Sequence, residues 1–417
     1  MKHPRVLAAP AIALALLLAG IVAAQPLPQA SPAAALEHLK VLSQQIGPRA
    51  AGAPGDQRAI DYVARELTRL GYAVERQAFP FQYFEETQAP VLTVMGDPPQ
   101  RLSPSTMLYS ASTPESGIEA DLVAAGLGRR ADFEGRPVEG KIALVERGEI
   151  FFSEKVSNAA AAGALAVLIY NNQPGPAVVG TLMGPARLPA VAIPREEGQD
   201  LLRRVGAGPV RVRLVVRTIA EQRTSVNVIG IKRGVGTPGE VVVVGGHRDS
   251  VPVSPGANDN ASGIAAALEA ARLLAGVRTG RTVHFVAFGA EELGLIGSRF
   301  YTQNPPGRIV GMVNMDMVGR GPLQIGNSSD DNSLVDLAER IAERLGVRVT
   351  KFKLRGSSGS DHASFERMGV PTVFIHTGDD AAIHTPNDAI DRVDPALVAQ
   401  AATLAAHVAL EAAGPAR

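Results

Sequence analysis

The chain has no cysteine among its 417 residues, which excludes a disulfide bond and a lipid-modified N-terminal cysteine. It also lacks an excess of charge of either sign, because 41 basic side chains balance 41 acidic ones. The sequence contains no long block of like charge and no internal repeat, so nucleic acid is not an expected partner. Hydrophobic residues make up 46% and charged residues 20%, which is typical of a soluble globular protein with two or three folding units at this length.

The first residues have the pattern of an export signal. Basic side chains precede an almost unbroken apolar run over residues 6–24, and small residues end the run before the proline-rich segment that begins at Gln25. A retained membrane anchor is the alternative, since about 20 apolar residues span a bilayer. We predict a signal peptide over 1–24, a linker over 25–32, and a periplasmic or extracellular protein with no stable membrane span after cleavage.

The next region divides into the beginning of an α/β unit and a segment of different texture. Helical spacing over 33–45, a second amphipathic helix that ends at Gly71, and a strand over 72–79 predict a layered α/β arrangement. From about Gly117 to Val216, short β-rich runs alternate with glycine and proline, and histidine is absent. This texture predicts an inserted, non-catalytic domain.

From Ser225 onward, strands and helices alternate clearly. The continuously apolar, β-branched run over 241–244 is typical of a strand covered by helices on both faces. A helix is expected over 291–301 and a strand over 347–352. The fold class is therefore α/β, with a mixed, largely parallel sheet sandwiched by helices. The predicted domain bounds are 33–112 and 219–417 for the catalytic domain and 113–218 for the β-rich insert.

Acidic and imidazole side chains follow four of the predicted strands, at the point where each strand ends. In sheets of this class, ligands bind outside the carboxyl ends of the strands. Four such endings are hard to attribute to chance, and we expect these side chains to meet at one edge of the sheet. The residues are His247 and Asp249 after the first strand, Glu291 and Glu292 after the second, Asp316 after the third, and His384 after the fourth.

Each of these residues has an ordinary interpretation when it is considered alone. His247 is then a hydrogen-bonded histidine, Asp259 a solvated acid or helix cap, and the Glu291–Glu292 pair a favourable partner for a helix dipole. Considered together, they favour a metal centre. Asp249 can hold the His247 imidazole so that its other nitrogen faces a metal ion, and Asp388 can do the same for His384.

The charge count favours two divalent cations. Asp259, Glu292 and Asp316 contribute three negative charges, two cations contribute four positive charges, and the site keeps a net charge of plus one. Mixed nitrogen and oxygen ligands suit zinc, with cobalt or manganese as substitutes. A site of this charge favours a hydroxide that bridges the two metals and a polarised substrate carbonyl, as in two-metal hydrolysis. Glu291 is left free to transfer protons.

Five segments together closely resemble metallopeptidase family 28, the co-catalytic di-zinc aminopeptidases. They occur in order along the chain: GGHRDS around His247, GANDNASG around Asp259, GAEELG around Glu291, NMDM around Asp316, and HTPND from His384. The resemblance implies that Asp259 bridges two zinc ions, that His247 and Asp316 complete one site, and that Glu292 and His384 complete the other. It implies Glu291 as general base and later acid, Asp249 as the support of His247, and a cis peptide after Asp259.

The insert resembles a protease-associated (PA) domain, most clearly over 140–148 and 155–170. That resemblance implies a role in guarding the cleft or contacting substrate. The segment Ser360-Asp361-His362 resembles a recurring family segment near the site, although a helix cap explains Ser360 equally well. His376 and His284 are expected to be supporting or core residues.

The predicted reaction is hydrolysis of the N-terminal residue from a peptide, with Glu291 moving the proton. Three alternatives stay open at this point: a carboxypeptidase on the same di-zinc core, with Arg248 or Arg355 binding the substrate carboxylate; a single-zinc enzyme similar to glutaminyl cyclase; and a non-catalytic receptor-like binding protein. Retention of all five predicted ligands argues against the last two.

Overall fold

The computed structural model describes residues 27–178, 180–354 and 359–415. The predicted signal peptide, the first two residues of the predicted linker, and Arg355 lie outside the described residues. Two elements precede the sheet. The helix α1 begins where Ser31 accepts a hydrogen bond from the Ala34 N–H, and a π-helical turn, Lys40–Ile46, follows it directly. The predicted first helix is therefore present in two parts.

The described residues form ten α-helices and fourteen strands. The helices are α1 (Pro32–Leu39), α2 (Pro54–Arg69), α3 (Arg130–Phe133), α4 (Phe152–Ala161), α5 (Arg195–Ala207), α6 (Gly263–Leu274), α7 (Ile296–Gln303), α8 (Ser333–Leu345), α9 (His362–Glu366) and α10 (Pro395–Ala413). The strands are β1 (Ala73–Val94), β2 (Gln100–Arg101), β3 (Ser105–Thr106), β4 (Ile118–Ala124), β5 (Ile142–Glu146), β6 (Ala166–Tyr170), β7 (Ala190–Ile193), β8 (Arg211–Lys232), β9 (Glu240–His247), β10 (Thr282–Phe288), β11 (Arg308–Met315), β12 (Gln324–Asn327), β13 (Thr350–Lys353) and β14 (Thr372–His376).

The larger half of the molecule is built on a mixed sheet in the order β13-β12-β14-β11-β9-β10-β8-β1. Its centre is parallel, since β14, β11, β9 and β10 pair in parallel, whereas β8 and β1 add to one side in antiparallel orientation. Helices including α6, α8 and α10 cover the sheet and share one large apolar core with it. This arrangement confirms the predicted α/β fold class.

A long antiparallel ribbon joins this half to the insert. β1 pairs with β8 from Ala73 with Ile231 to Val94 with Val212, with irregular register around Gln88. Beyond the ribbon, β4, β5, β6 and β7 form a parallel group with two apolar clusters of its own. The insert therefore has a separate core from the rest of the chain, which is the property expected of a domain. The exact bounds at 113 and 218 stay a prediction.

Two sequence expectations for local structure were wrong. The helix expected over 291–301 begins only at Ile296, because Ala290 and Leu295 have positive φ angles of 56° and 60° and the intervening residues form a turn. The strand expected over 347–352 is the shorter β13. Among the described residues, α10 alone is long and apolar enough for a membrane span, and 61% of it is buried in the core.

Candidate metal centre

Four parallel strands deliver the predicted residues to one edge of the sheet. β9 ends at His247, β11 is followed at once by Asp316, and β10 and β14 lead into the segments that hold Glu291–Glu292 and His384. In the register of β9 and β10, His247 lies opposite Phe288. Because all four strands run in the same direction, their carboxyl ends meet, and the side chains that follow them converge on one cavity of about 750 Å³.

The five predicted ligands form two groups that share Asp259. Asp259 Oδ1 lies 3.1 Å from His247 Nε2, which is also 3.4 Å from Asp316 Oδ1. Asp259 Oδ2 lies 3.2 Å from His384 Nε2, which is 3.0 Å from Glu292 Oε2. The two oxygens of a single carboxylate thus face two different histidines, which is the geometry needed to bridge two cations.

The carboxylate and imidazole atoms of these two groups are better suited to bind a cation than to bind one another. Glu292 Oε1 and Asp316 Oδ1 are buried and have no hydrogen-bond partner among the described residues, and a buried carboxylate oxygen without a partner is costly. Asp259 is 5% exposed and Asp316 is 8% exposed, yet three carboxylates lie together here. Two imidazole nitrogens and several carboxylate oxygens form the mixed donor set that suits zinc.

The pKa values reflect the same accumulation of negative charge. Burial alone would lower the pKa of His247, but the carboxylates of Asp316, Glu291 and Asp259 raise it well above its usual value. Hydrogen bonding to Asp259 raises the pKa of His384 to about 8, and burial raises that of Glu292 to about 8. A divalent cation that binds at these atoms would replace the protons and remove the repulsion between the carboxylates.

Asp249 supports the site in a different way from the one expected. His247 Nδ1 lies 3.1 Å from the backbone oxygen of Asp249 and 3.9 Å from its carboxylate, so the ring N–H donates to the carbonyl and leaves Nε2 facing the carboxylates. The Asp249 carboxylate instead accepts hydrogen bonds from the backbone N–H groups of Glu291, at 3.1 Å, and Glu292, at 3.2 Å. Asp249 therefore fixes the segment that presents both glutamates.

Asp388 likewise orients a different residue from His384. Its two carboxylate oxygens accept hydrogen bonds from the backbone N–H groups of Asn258, at 2.7 Å, and Asp259, at 3.0 Å. The Asp259–Asn260 peptide bond is cis, as the resemblance to the family implied. Asp388 thus holds the backbone at the residue whose carboxylate is shared by the two groups.

Glu291 lines the cavity beside the two groups but belongs to neither. Burial raises its pKa well above the usual value, and the nearby carboxylates of Asp361, Asp316 and Glu292 add to this effect against His247. A carboxylate with a raised pKa that reaches the cavity is suited to accept a proton and to return it.

The other residues that the sequence suggested as supporting or core residues lie around the centre. Ser360 does not cap a helix, because its Oγ accepts a hydrogen bond from Asn314 at 2.9 Å. Asp361 is fully buried, and burial raises its pKa to about 7. His376 Nδ1 donates to the backbone oxygen of Asp316 at 2.8 Å, so it helps to position that residue. His284 lies in the core, 2.9 Å from the Tyr301 hydroxyl.

Two arginines near the centre are fully buried, and the sequence did not predict their burial or their contacts. Arg49 donates to five backbone carbonyls, among them those of Arg248, Pro255 and Gly256. Arg248 pairs with the buried Asp56 at 2.8 Å and donates to Ser225 Oγ, so it points into the protein rather than toward a substrate. The only sequence signal for Arg49 was the loop that it occupies after Gly47-Pro48.

The chain is similar to known proteins over most of its length. The profile of peptidase family M28 matches residues 227–409, and that of the PA domain matches residues 118–201. The chain is 34% identical over 394 residues to aminopeptidase YwaD of Bacillus subtilis strain 168, across 89% of this chain and 82% of YwaD. The aminopeptidase from Aneurinibacillus sp. strain AM-1 superposes with a TM-score of 0.73 at 34% identity, across 93% of this chain and 95% of that one. BSAP, a zinc aminopeptidase from Bacillus subtilis, superposes with a TM-score of 0.66 at 32% identity, across 94% and 97%.

Proposed function

This chain belongs to peptidase family M28 and carries a PA domain, and from that premise we propose that it is an exported aminopeptidase that uses two zinc ions. The observation that carries the proposal is the position of Asp259, whose two carboxylate oxygens each lie close to a different histidine. The names of the similar proteins support removal of residues from the N-terminus of peptides as the activity.

The five ligands divide between the two zinc ions as the two groups of side chains suggest. His247 and Asp316 would hold one ion, Glu292 and His384 would hold the other, and Asp259 would contact both. When bound, zinc lowers the pKa of a water molecule and polarises the carbonyl of the scissile bond. The backbone contacts of Asp249 and Asp388 keep Glu292 and Asp259 in place for this task.

Glu291 is the proton carrier in this proposal. Its carboxylate takes a proton from the attacking water and later returns that proton to the amine of the leaving peptide. The raised pKa of Glu291 suits both steps, because a group that holds the proton too weakly could not protonate the leaving amine. The Asp249 carboxylate accepts a hydrogen bond from the backbone N–H of Glu291 and therefore fixes the orientation of the Glu291 side chain.

A substrate panel tests the activity and its polarity together. Purified protein is incubated with aminoacyl anilides, with peptides blocked at the N-terminus, and with peptides blocked at the C-terminus, each with and without a chelator. We expect cleavage only of substrates whose N-terminal amine is free. The chelator should abolish this cleavage, and added zinc should restore it. Cleavage of N-terminally blocked peptides from the C-terminus would indicate a carboxypeptidase instead. One zinc ion per active chain would favour the cyclase-like alternative.

Export and the domain bounds are part of the same proposal. The basic and apolar pattern of residues 1–24 supports cleavage after Ala24. The separate apolar clusters support a PA domain as a distinct unit around the proposed range 113–218, although they also include Leu92, Val94 and Met107 before it. N-terminal sequencing of the protein from the periplasm or medium tests the first part. A mature chain that begins at Gln25 is expected, and a chain that keeps Met1 in the membrane fraction would contradict cleavage.

A further inference from the structure

Two arginines line the cavity that contains the candidate ligands. Arg299 lies on α7, and Arg367 follows the last residue of α9. Both side chains are exposed, and within the described parts of the chain neither forms an ion pair with an acidic side chain. Arg320, which lies near the same cavity, is by contrast paired with the Asp380 carboxylate. Within residues 27–178, 180–354 and 359–415, the cavity therefore has two guanidinium groups without an ion-pair partner.

The two helices that carry these arginines are held against each other. Ser298, next to Arg299, lies with its Oγ 2.9 Å from Ser364 Oγ on α9. Behind them, the rings of Tyr301 on α7 and Phe365 on α9 are 5.9 Å apart. Phe288 at the end of β10 contacts both rings, at 5.8 Å and 5.9 Å. The backbones at Arg299 and Arg367 are thus fixed relative to the strand end that leads to Glu291.

None of the acidic side chains that line the cavity forms an ion pair with Arg299 or Arg367 among the described residues, and this includes Glu291 and Asp379. Asp259, Glu292 and Asp316 belong to the ligand groups, and Asp380 is paired with Arg320. A guanidinium group binds a carboxylate through two parallel hydrogen bonds. A carboxylate is therefore the ligand group that Arg299 and Arg367 are best suited to bind. Under the proposed function, every peptide that enters with its N-terminus at the ligands brings a carboxylate at its other end.

We propose that Arg299 and Arg367 bind a carboxylate of the peptide substrate on the cavity wall and so favour short peptides with a free C-terminus. The inference rests on the proposed function and names its substrate class. A cavity of about 750 Å³ has the size of sites that enclose a small ligand, and each extended residue adds only about 3.3–3.6 Å. A carboxylate within two or three residues of the scissile bond stays inside such a cavity.

The test compares the two ends of otherwise identical substrates. The ratio of kcat/KM is measured for leucyl-alanyl-alanine over its C-terminal amide, with the zinc-loaded enzyme, the double variant Arg299→Gln and Arg367→Gln, and the control Arg340→Gln. Arg340 is an exposed arginine on α8 that does not line the cavity. We expect the wild type to prefer the free acid by about tenfold, because the hydrogen bonds between guanidinium and carboxylate are charge-assisted but are partly screened by solvent at these exposed side chains.

The double variant should bring this ratio close to one, and the control should keep the wild-type ratio. A second pair, leucyl-aspartyl-alaninamide and leucyl-asparaginyl-alaninamide, identifies the source of the carboxylate. A preference for the aspartyl peptide that disappears in the double variant would assign the pair to an acidic side chain. A wild-type ratio near one for both pairs, or an equal loss in the control, would overturn the inference while the aminopeptidase activity stands. Absence of hydrolysis of all peptides would overturn both proposals.

Discussion

At the scale of single residues, Glu291 provides the sharpest test of the proposed chemistry. We expect Glu291→Gln to fold and to keep two zinc ions, because Glu291 belongs to neither ligand group. Activity should fall by about 10²- to 10⁴-fold, the usual contribution of general acid–base catalysis, since an amide cannot accept the proton. Steady-state kinetics and elemental analysis of the same sample check both expectations. Turnover near the wild-type rate would remove Glu291 from the mechanism.

Substitution of Asp259 tests whether this residue is shared by two zinc ions or binds only one. We expect Asp259→Ala to lose both zinc ions, because each of its oxygens lies close to a histidine of a different group. The matched control is Asp379→Ala, since Asp379 lines the same cavity but belongs to neither group. Elemental analysis after dialysis should give two ions per chain for the control and none for Asp259→Ala. Retention of two ions in Asp259→Ala would contradict the bridging role.

The sequence indicates which residues reach the centre more clearly than it indicates how they are held. His247 and Asp316 come at or just after strand ends, and strand order alone is enough to bring them to one edge. The roles of Asp249 and Asp388 were less accessible, because their carboxylates bind backbone N–H groups 42 and 130 positions away in the chain. A backbone N–H has no side-chain signature, so no pattern of residue types reveals it.

At the scale of elements, the segment around Glu291 shows where local pattern is insufficient. Its residues have good helical spacing, but Ala290 and Leu295 adopt left-handed backbone conformations that a helix cannot contain. The Asp249 carboxylate accepts hydrogen bonds from the N–H groups of Glu291 and Glu292 and holds this segment as a turn against the end of β9. A contact between distant segments thus overrides local propensity at the point where the candidate base is placed.

The loop that carries Asp259 depends on a residue from the N-terminal part of the chain. Arg49 donates to the carbonyl oxygens of Pro255 at 2.6 Å and Gly256 at 2.8 Å, and a side chain without donors leaves buried carbonyls unsatisfied. We expect Arg49→Met to lower the free energy of unfolding by about 1–3 kcal/mol, the cost of leaving a buried hydrogen-bond acceptor without its donor. Zinc affinity should fall as well, because the loop loses its fixed position.

The control for Arg49 is Arg58→Met. Arg58 is exposed and donates one hydrogen bond, to the carbonyl of Ile46 in the same region. Denaturant unfolding of the zinc-loaded proteins and a competition assay with a coloured zinc chelator give the two readouts. If Arg49→Met unfolds at the same denaturant concentration as Arg58→Met, the guanidinium contacts do not hold the loop.

At the scale of the whole molecule, the sequence predicted two kinds of structure, and the chain has two kinds of core. The large cluster around α6, α10 and the parallel strands contains no residue of the insert, whose apolar residues form separate clusters. The long ribbon was not foreseen beyond Phe79, since alternation along β1 weakens where its residues become exposed. Its length follows from pairing with β8, a partner more than a hundred positions away in the chain.

This division predicts an unequal response to metal removal. Without cations, the carboxylates of Asp259, Glu292 and Asp316 lie close together, and Glu292 Oε1 and Asp316 Oδ1 have no hydrogen-bond partner within the described residues. A ligand that binds only the folded state stabilises it by about 4 kcal/mol at a thousandfold excess over Kd. We therefore expect amide hydrogen exchange in the apo-protein to accelerate in the segments 248–262 and 376–388. The strands β5, β6 and β7 should keep their rates, because they belong to the core of the insert.

Mass spectrometry of peptic fragments before and after chelation compares both regions in one sample. Equal acceleration in the insert would mean that the two cores unfold as one cooperative unit, and no acceleration at the sheet edge would mean that the loops are fixed by Arg49, Asp249 and Asp388 without metal.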